Sequence, residues 1–188
     1  MEEGRQQLAN LDWSQCPRWK AFIAVLMHKP GGTSTVLREE GFEETAAREF
    51  PAIQIAARQF GMSDRAKARA AAENILTAHP DLQGLFASSE ASSLGAIQAI
   101  ESRGLRGKVK LITFDSSESH VEALRAGTID LMLVQDSYRI GYEAVKSLAE
   151  KLSGKQPTHR MDLTVRQVTR KDLDDPGTVA LLTGKIKR

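Results

Sequence analysis

Four polar side chains that suit hydrogen bonding to a polyhydroxylated ligand follow four different apolar segments of the chain. Arg38 comes after the first such segment, Ser89 after the third, Asp115 after the fourth and Gln135 after the fifth. A carboxylate accepts hydrogen bonds from two hydroxyl groups, and a guanidinium donates several in a planar fork. If the apolar segments are parallel strands of one sheet, these side chains converge along one rim. The alternative, that they are helix caps and solvated loop residues, stays open from position alone.

Motifs of the common enzyme classes are absent from the sequence. It contains no GxSxG, GxxxxGK[ST], HExxH or GxGxxG pattern. The four histidines, at positions 28, 79, 120 and 159, are isolated, and the single cysteine is Cys16. We therefore expect no enzymatic activity, no metal site, no cofactor and no intrachain disulfide.

The composition is that of an ordinary globular protein. It is 41% hydrophobic and 27% charged, and 26 basic against 24 acidic residues give a net charge of +2, which argues against a nucleic-acid-binding surface. No apolar run approaches the ~20 residues that a membrane span needs. The first ten residues, MEEGRQQLAN, lack the features of a signal peptide, so an exported protein is expected to start upstream of this chain.

Hydrophobic periodicity predicts five strands that alternate with helices. The strands are expected at 22–27, 53–56, 84–87, 110–114 and 129–134, and the helices at 33–50, 65–79, 91–102 and 118–126. Thr33 or Ser34 is expected to cap the first helix. Each strand is nearly all apolar, which is typical of strands buried on both faces. The pattern predicts an α/β fold with a doubly wound parallel sheet, layered between helices, that binds ligands beyond its strand carboxyl ends.

The chain after position 136 is less regular. Residues 138–152 form an amphipathic helix pattern, 160–169 alternate as in an edge strand, and 171–183 are a short tail with some helical character. One face of the amphipathic helix is apolar and carries Ile140, Ala144, Val145, Leu148 and Leu152.

An ordered series of short motifs resembles the second lobe of type 1 periplasmic sugar-binding proteins of the ribose-binding group. The likeness covers about 22–170. The motifs are Gly32-Thr-Ser-Thr-Val-Leu-Arg38-Glu-Glu-Gly41-Phe42, Asp64-Arg65-Ala-Lys67, Asn74-Ile-Leu-Thr-Ala-His-Pro80-Asp81, Gly84-Leu-Phe-Ala87, Leu94-Gly95-Ala96, Phe114-Asp115, Ala126-Gly127-Thr128-Ile129-Asp130, Val134-Gln135-Asp136 and Ile140-Gly141.

This resemblance implies roles for five residues. Arg38 corresponds to an arginine that contacts sugar hydroxyls, Asp115 to a sugar-binding aspartate and Gln135 to a glutamine near the hinge. Ser89 stands where ribose-binding proteins carry an asparagine, and Ser63 where they carry a stacking phenylalanine. These two differences argue against ribose itself and predict a wider pocket, or one that uses Met62 or Phe60 instead.

The resemblance also implies an organisation and a set of partners. Residues 1–20 match no part of the pattern, 21–135 correspond to the second lobe, 136–158 to a segment that crosses to the first lobe, and 159–188 to a returning strand and tail. The family is periplasmic and delivers a monosaccharide to an ABC importer permease or a chemoreceptor. Nothing here corresponds to the first lobe, and a fragment, an alternative start and a divergent gene are all open explanations.

Two other functional classes are alternatives to a solute-binding protein. The effector domain of a LacI-type repressor shares the fold, but residues 1–20 are too short and too acidic at the start for its helix-turn-helix. A small α/β enzyme is disfavoured by the missing motifs. Because the apolar face of 138–152 has no first lobe to cover it, we expect it to find a partner, with a homodimer favoured.

Overall fold

The computed structural model describes residues 21–184, so the predicted segment 1–20 with Cys16 and the last four residues of the predicted tail lie outside the described residues. Within this range strands and helices alternate. In chain order they are β1 Ala21–Met27, α1 Thr33–Glu49, β2 Ile53–Phe60, α2 Arg65–Ala78, β3 Gly84–Ala87, α3 Glu90–Ser102, β4 Lys110–Phe114, α4 Glu118–Ala126, β5 Leu131–Gln135, α5 Ser137–Leu152, β6 Val165–Val168 and α6 Pro176–Thr183.

The strands form one sheet in the order β2-β1-β3-β4-β5-β6. The first five pair in parallel, and β6 is antiparallel to β5 at the edge. The chain moves outward from β1 to β2 and then returns to place β3 on the other side of β1. The predicted doubly wound α/β sheet is therefore confirmed, and its order reverses between β1 and β3.

The two faces of the sheet carry different helices. Leu85 and Ala87 of β3 belong to the main buried cluster, together with side chains of α2, α3 and α4. Phe86, which lies between them, must face the opposite side, because successive strand side chains alternate. There it stacks on Phe42 of α1, with ring centroids 4.5 Å apart. Thus α1 lies on one face of the sheet, and the three following helices lie on the other.

Small residues allow α2 and α3 to approach each other closely. Ala68, Ala72 and Ala96 are fully buried between them. A Cβ atom built on Gly95 would lie 2.6 Å from the backbone nitrogen of Arg69 and 2.7 Å from the carbonyl carbon of Ala68. Gly95 is therefore required by backbone contact, which explains its place inside a helix that glycine otherwise weakens.

Several boundaries differ from those predicted. Strand β5 begins at Leu131 and not at 129, because the Ile129 N–H donates to the Ala123 carbonyl of α4. The N-cap of α1 is Gly32, whereas Thr33 or Ser34 was predicted. Gly32 makes no side-chain cap bond, and the Thr35 hydroxyl donates to the Gly32 carbonyl at 2.8 Å. Strand β2 continues to Phe60, because it pairs with the whole of β1 up to Met27. Strand β6 is limited to Val165–Val168, the part of 160–169 that pairs with β5.

We predict that Gly95→Ala lowers the free energy of unfolding by about 1–3 kcal/mol, because the added methyl group forces α2 and α3 apart. The matched control is Gly41→Ala in α1, where nothing lies within 4 Å of the new Cβ and the higher helix propensity of alanine should add about 0.5–1 kcal/mol. Urea unfolding of both variants measures the difference. Equal effects of the two substitutions would contradict close packing at Gly95.

Candidate functional site

Arg38 lies at the centre of the predicted site. It extends from α1, and its guanidinium carbon is 3.2 Å from the centroid of the Phe114 ring at the end of β4. The same guanidinium donates a hydrogen bond to the backbone carbonyl of Ser88, which follows β3. Burial lowers the pKa of Arg38, and the nearby carboxylates of Asp115 and Glu39 oppose that shift. The arginine therefore connects the ends of two neighbouring strands.

Asp115 and Gln135 lie side by side at the ends of β4 and β5. The Gln135 amide nitrogen donates to Asp115 Oδ1 at 2.8 Å. Asp115 has a left-handed backbone with a φ of 70°, and its N–H donates to the Leu133 carbonyl at 2.9 Å. Few residues other than glycine adopt this conformation, and aspartate is among those that tolerate it. The chain thus turns out of the sheet at the residue that the resemblance marks as sugar-binding.

Ser63 and Ser89 both contact the side chain of His28, which was not among the predicted site residues. The Ser63 hydroxyl is 2.6 Å from His28 Nε2, and the Ser89 hydroxyl is 3.0 Å from His28 Nδ1. Ser89 is also the N-cap of α3 and accepts from the Ser92 N–H. The structure therefore places four of the five predicted residues in two hydrogen-bonded groups, Asp115 with Gln135 and Ser63 with Ser89 through His28. The fifth, Arg38, bonds to the backbone of Ser88, next to Ser89.

Glu39 is a second residue that was not selected. Its side chain is only 1% exposed. Oε1 accepts from the His28 backbone N–H at 2.9 Å and from the Ser88 hydroxyl. Oε2 has no hydrogen-bond partner among the described residues. Burial of a carboxylate raises the free energy of the folded state unless the carboxylate is hydrogen-bonded. Glu39 meets this requirement by holding the His28 N–H and the Ser88 hydroxyl together.

A signal for His28 was available in the sequence. It is the first polar residue after the first apolar run, the same position by which the other strand-end residues were selected, but a lone histidine suggested no particular chemistry. Glu39 gave no such signal, because it sits in the charged run Arg38-Glu-Glu40 and such runs usually face solvent. Met62 and Phe60, considered as replacements for a stacking residue, are 48% and 41% exposed.

Two absences hold for residues 21–184. No group of three or more histidine, cysteine, aspartate or glutamate side chains is arranged to hold a metal ion. Within the same range, none of the helices has both the length and the apolar character needed to cross a bilayer.

The sheet is open, and hydrogen-bonding side chains gather beyond the carboxyl ends of its strands, next to the point where the strand order reverses. This is the architecture of a small-molecule-binding lobe. The family model described as the periplasmic binding protein domain matches residues 15–156. The chain therefore belongs to the periplasmic binding protein family, and its predicted resemblance to the type 1 sugar-binding members is confirmed.

Individual relatives agree with this assignment. A ribose import binding protein of Bacillus subtilis is 28% identical over 151 residues, which are 80% of this chain and 48% of that protein. A carbohydrate transporter solute-binding protein of Agrobacterium radiobacter in complex with D-arabinose superimposes with a TM-score of 0.84 at 28% identity, covering 87% of this chain and 55% of that one. An ABC transporter solute-binding protein of Agrobacterium vitis with bound D-fucose has the same TM-score and identity, covering 95% and 61%.

These relatives are binding proteins of transport systems and not enzymes. The chain spans about half the length of the curated relatives that it matches.

His120 is buried close to this site. It is 0% exposed, its Nδ1 lies 2.8 Å from the Ser117 hydroxyl, and its Nε2 has no partner among the described residues. Burial lowers the pKa of His120 to about 4, against a smaller opposing effect of the Asp115 charge. The imidazole is therefore neutral in the folded protein at physiological pH.

We predict that His120 makes the fold sensitive to mild acid. Its folded-state pKa is below the value of about 6.5 expected in the unfolded chain, so the unfolded state binds the proton first. Stability is full above about pH 6.5 and falls as the pH drops towards 4, by up to about 3 kcal/mol from this group. Urea unfolding of the wild type and His120→Gln between these pH values measures the effect. Identical pH dependence in the two proteins would contradict it.

Proposed function

We propose that this chain is the ligand-binding lobe of a solute-binding protein that supplies a monosaccharide to an ABC-type importer. The observation that carries the proposal is that Arg38, which reaches from α1 to Phe114, lies beside Asp115 and Gln135 at the ends of the adjacent strands β4 and β5. A fixed cation, an anion and an amide supply donors and acceptors in one small area, which suits a ligand with several hydroxyl groups. The relatives support the same class of ligand, since those described above are sugar-binding proteins.

The proposal includes the organisation expected from the sequence. Residues 21–135 act as the second lobe, 136–158 cross towards another α/β unit, and 159–188 return to the sheet edge. Antiparallel pairing of β6 with β5 supports the returning segment. The partner is an importer permease or a chemoreceptor, and the compartment is the periplasm. The alternative of a LacI-type repressor effector domain gains no support from the comparisons.

The exposed face of α5 supports a homodimer as part of this proposal. No side chain of α5 is buried, and Tyr138, Tyr142, Val145 and Leu152 are 49–80% exposed. With Ala149 these residues follow the 4-3-4-3 spacing of a seam between two helices. A second copy of the chain, related by a two-fold axis, presents a helix with the same spacing of apolar residues. The α5 helices of two copies can therefore pack against each other along this seam. The predicted apolar face, which carries Ile140, Ala144, Val145, Leu148 and Leu152, is exposed as well and shares Val145 and Leu152 with this seam.

We predict that Asp115→Ala and Arg38→Ala each weaken sugar binding by about 10-fold or more, whereas Ser89→Ala weakens it only a few-fold. Hydrogen bonds that involve a charged group contribute about 1.5–3 kcal/mol, more than neutral ones. Calorimetric titration with D-ribose, D-allose, D-arabinose and D-fucose, extended to ~20 mM because the site is one-sided, provides the measurement.

Asp174→Ala, which removes an exposed aspartate after β6, is the control and should bind normally. Urea unfolding checks that Ser89→Ala remains folded despite the loss of the α3 cap. An equal loss for Ser89→Ala and Asp115→Ala would contradict the ranking. Absence of binding to every sugar would contradict the proposed function.

We predict that the chain sediments at equilibrium as a dimer at micromolar concentration. Val145→Glu should shift it to monomer, because it places a charge at the centre of the exposed α5 face. Leu37→Glu is the matched control: Leu37 is 63% exposed on α1, and its replacement should leave the dimer intact. A wild-type chain that stays monomeric throughout, or equal dissociation by both variants, would rule out the α5 interface.

A further inference from the structure

His28 occupies the position in the sheet where a ligand is most expected. It directly follows β1, and Ser89 lies just beyond β3, the two neighbouring strands between which the strand order reverses. In open α/β sheets the crevice beyond the carboxyl ends at such a reversal is the usual place for a ligand. The imidazole is half-buried there.

Both ring nitrogens of His28 face hydroxyl groups of predicted ligand-binding residues. Ser63 Oγ is 2.6 Å from Nε2, and Ser89 Oγ is 3.0 Å from Nδ1. A neutral imidazole has one donor and one acceptor nitrogen, and a serine hydroxyl rotates to serve either. A hydroxyl group of a ligand has the same capacity, so it can replace a serine at the ring without leaving an unpaired nitrogen.

The loop that carries Ser63 is held against His28 in an unfavourable backbone conformation. Met62 and Ser63 have φ values of 56° and 55°, in the left-handed region that such residues rarely adopt. The Ser63 N–H donates to the His28 carbonyl at 3.2 Å, which fastens the loop to the end of β1. Strain of this kind persists only when surrounding contacts impose it, and it is common at ligand-binding sites.

Glu39 fixes the backbone of His28 relative to Arg38. Glu39 Oε1 accepts from both the His28 N–H and the Ser88 hydroxyl, while the Ser88 carbonyl accepts from Arg38. The buried carboxylate therefore links the histidine to the arginine of the site. A side chain that only filled space between β1 and α1 would not need a carboxylate in a position that is 1% exposed.

We propose that His28 is a ligand-binding residue that determines sugar specificity, and that Glu39 is its positioning residue. This inference rests on the proposed function and extends it to one end of the ligand. The imidazole hydrogen-bonds a sugar hydroxyl, so the site distinguishes a sugar that has a hydroxyl at that position from its deoxy analogue. The deoxy analogue leaves the serine hydroxyl in place at the ring and gains no hydrogen bond from the imidazole, so it binds less tightly.

The test uses matched sugar pairs: D-ribose with 2-deoxy-D-ribose, and D-galactose with D-fucose, its 6-deoxy analogue. Imidazole carbon–proton NMR signals of the four histidines are followed during each titration, with His28 assigned from its substitution. We expect the His28 signals to shift and the hydroxylated sugar of at least one pair to bind about 3- to 10-fold more tightly.

Three variants define the role of each residue. His28→Leu should bring the ratio of affinities within that pair close to one, and His28→Gln, which keeps a donor and an acceptor, should retain part of it. Glu39→Gln should reduce the ratio with the His28 imidazole still present. His159→Leu, an exposed histidine between α5 and β6, is the control and should leave the ratio unchanged.

The outcomes separate this inference from the proposed function. If calorimetric titration shows that a sugar binds while the His28 imidazole signals of the wild type stay fixed, His28 is not a ligand-binding residue and the proposed function stands. An unchanged affinity ratio in His28→Leu likewise overturns the inference alone. If no sugar in the panel shifts any signal, the proposed function and the inference both fail. The wild-type NMR result does not depend on any variant being folded.

Discussion

Parallel pairing of five strands is the constraint on which the candidate site depends. His28, directly after β1, and Gln135, at the end of β5, are 107 positions apart in sequence and reach one rim only because all five strands run in the same direction. Right-handed crossovers then place α1 on one face and α2 to α4 on the other. Arg38 can therefore approach Ser88 and Phe114 from α1, while Ser89 begins α3 from the opposite side.

Much of this arrangement could be predicted from the sequence, because parallel strands carry a strong signal. Strands buried on both faces form short, uninterrupted apolar runs, and β3 and β4 have the bounds that these runs predict. Strand ends that depend on pairing with a neighbouring strand were harder to predict from the sequence. Strand β2 gains Ala57–Phe60 from its pairing with β1, although Arg58 and Gln59 interrupt the apolar pattern. Local periodicity contains no information about how far a neighbouring strand extends.

The site was predictable only in part, for a related physical reason. Asp115 and Gln135 are polar residues at strand ends, so position and type both mark them, and Arg38 belongs to the polar segment that follows β1 although it lies inside α1. Glu39 is recognised only in three dimensions, where its carboxylate turns towards the His28 N–H and the Ser88 hydroxyl. In sequence it is one of two adjacent glutamates, and Glu40 beside it is exposed. Burial of one glutamate and exposure of the other follow from helix rotation, because adjacent residues face directions about 100° apart.

A single residue, Asp136, separates Gln135, in the candidate ligand-binding rim, from Ser137, the first residue of α5. Gln135 ends β5 with its amide on Asp115, Asp136 caps α5 by accepting the Arg139 N–H at 2.9 Å, and the helix begins at Ser137. The first turn of α5, which carries the exposed Tyr138, thus follows directly after Gln135. Restricting the direction of α5 restricts the backbone that carries this amide, and a ligand held by Asp115 and Gln135 acts on the same backbone from the other side. The two surfaces are therefore adjacent along the chain, and any coupling between a ligand at one and a partner at the other must be equal in both directions.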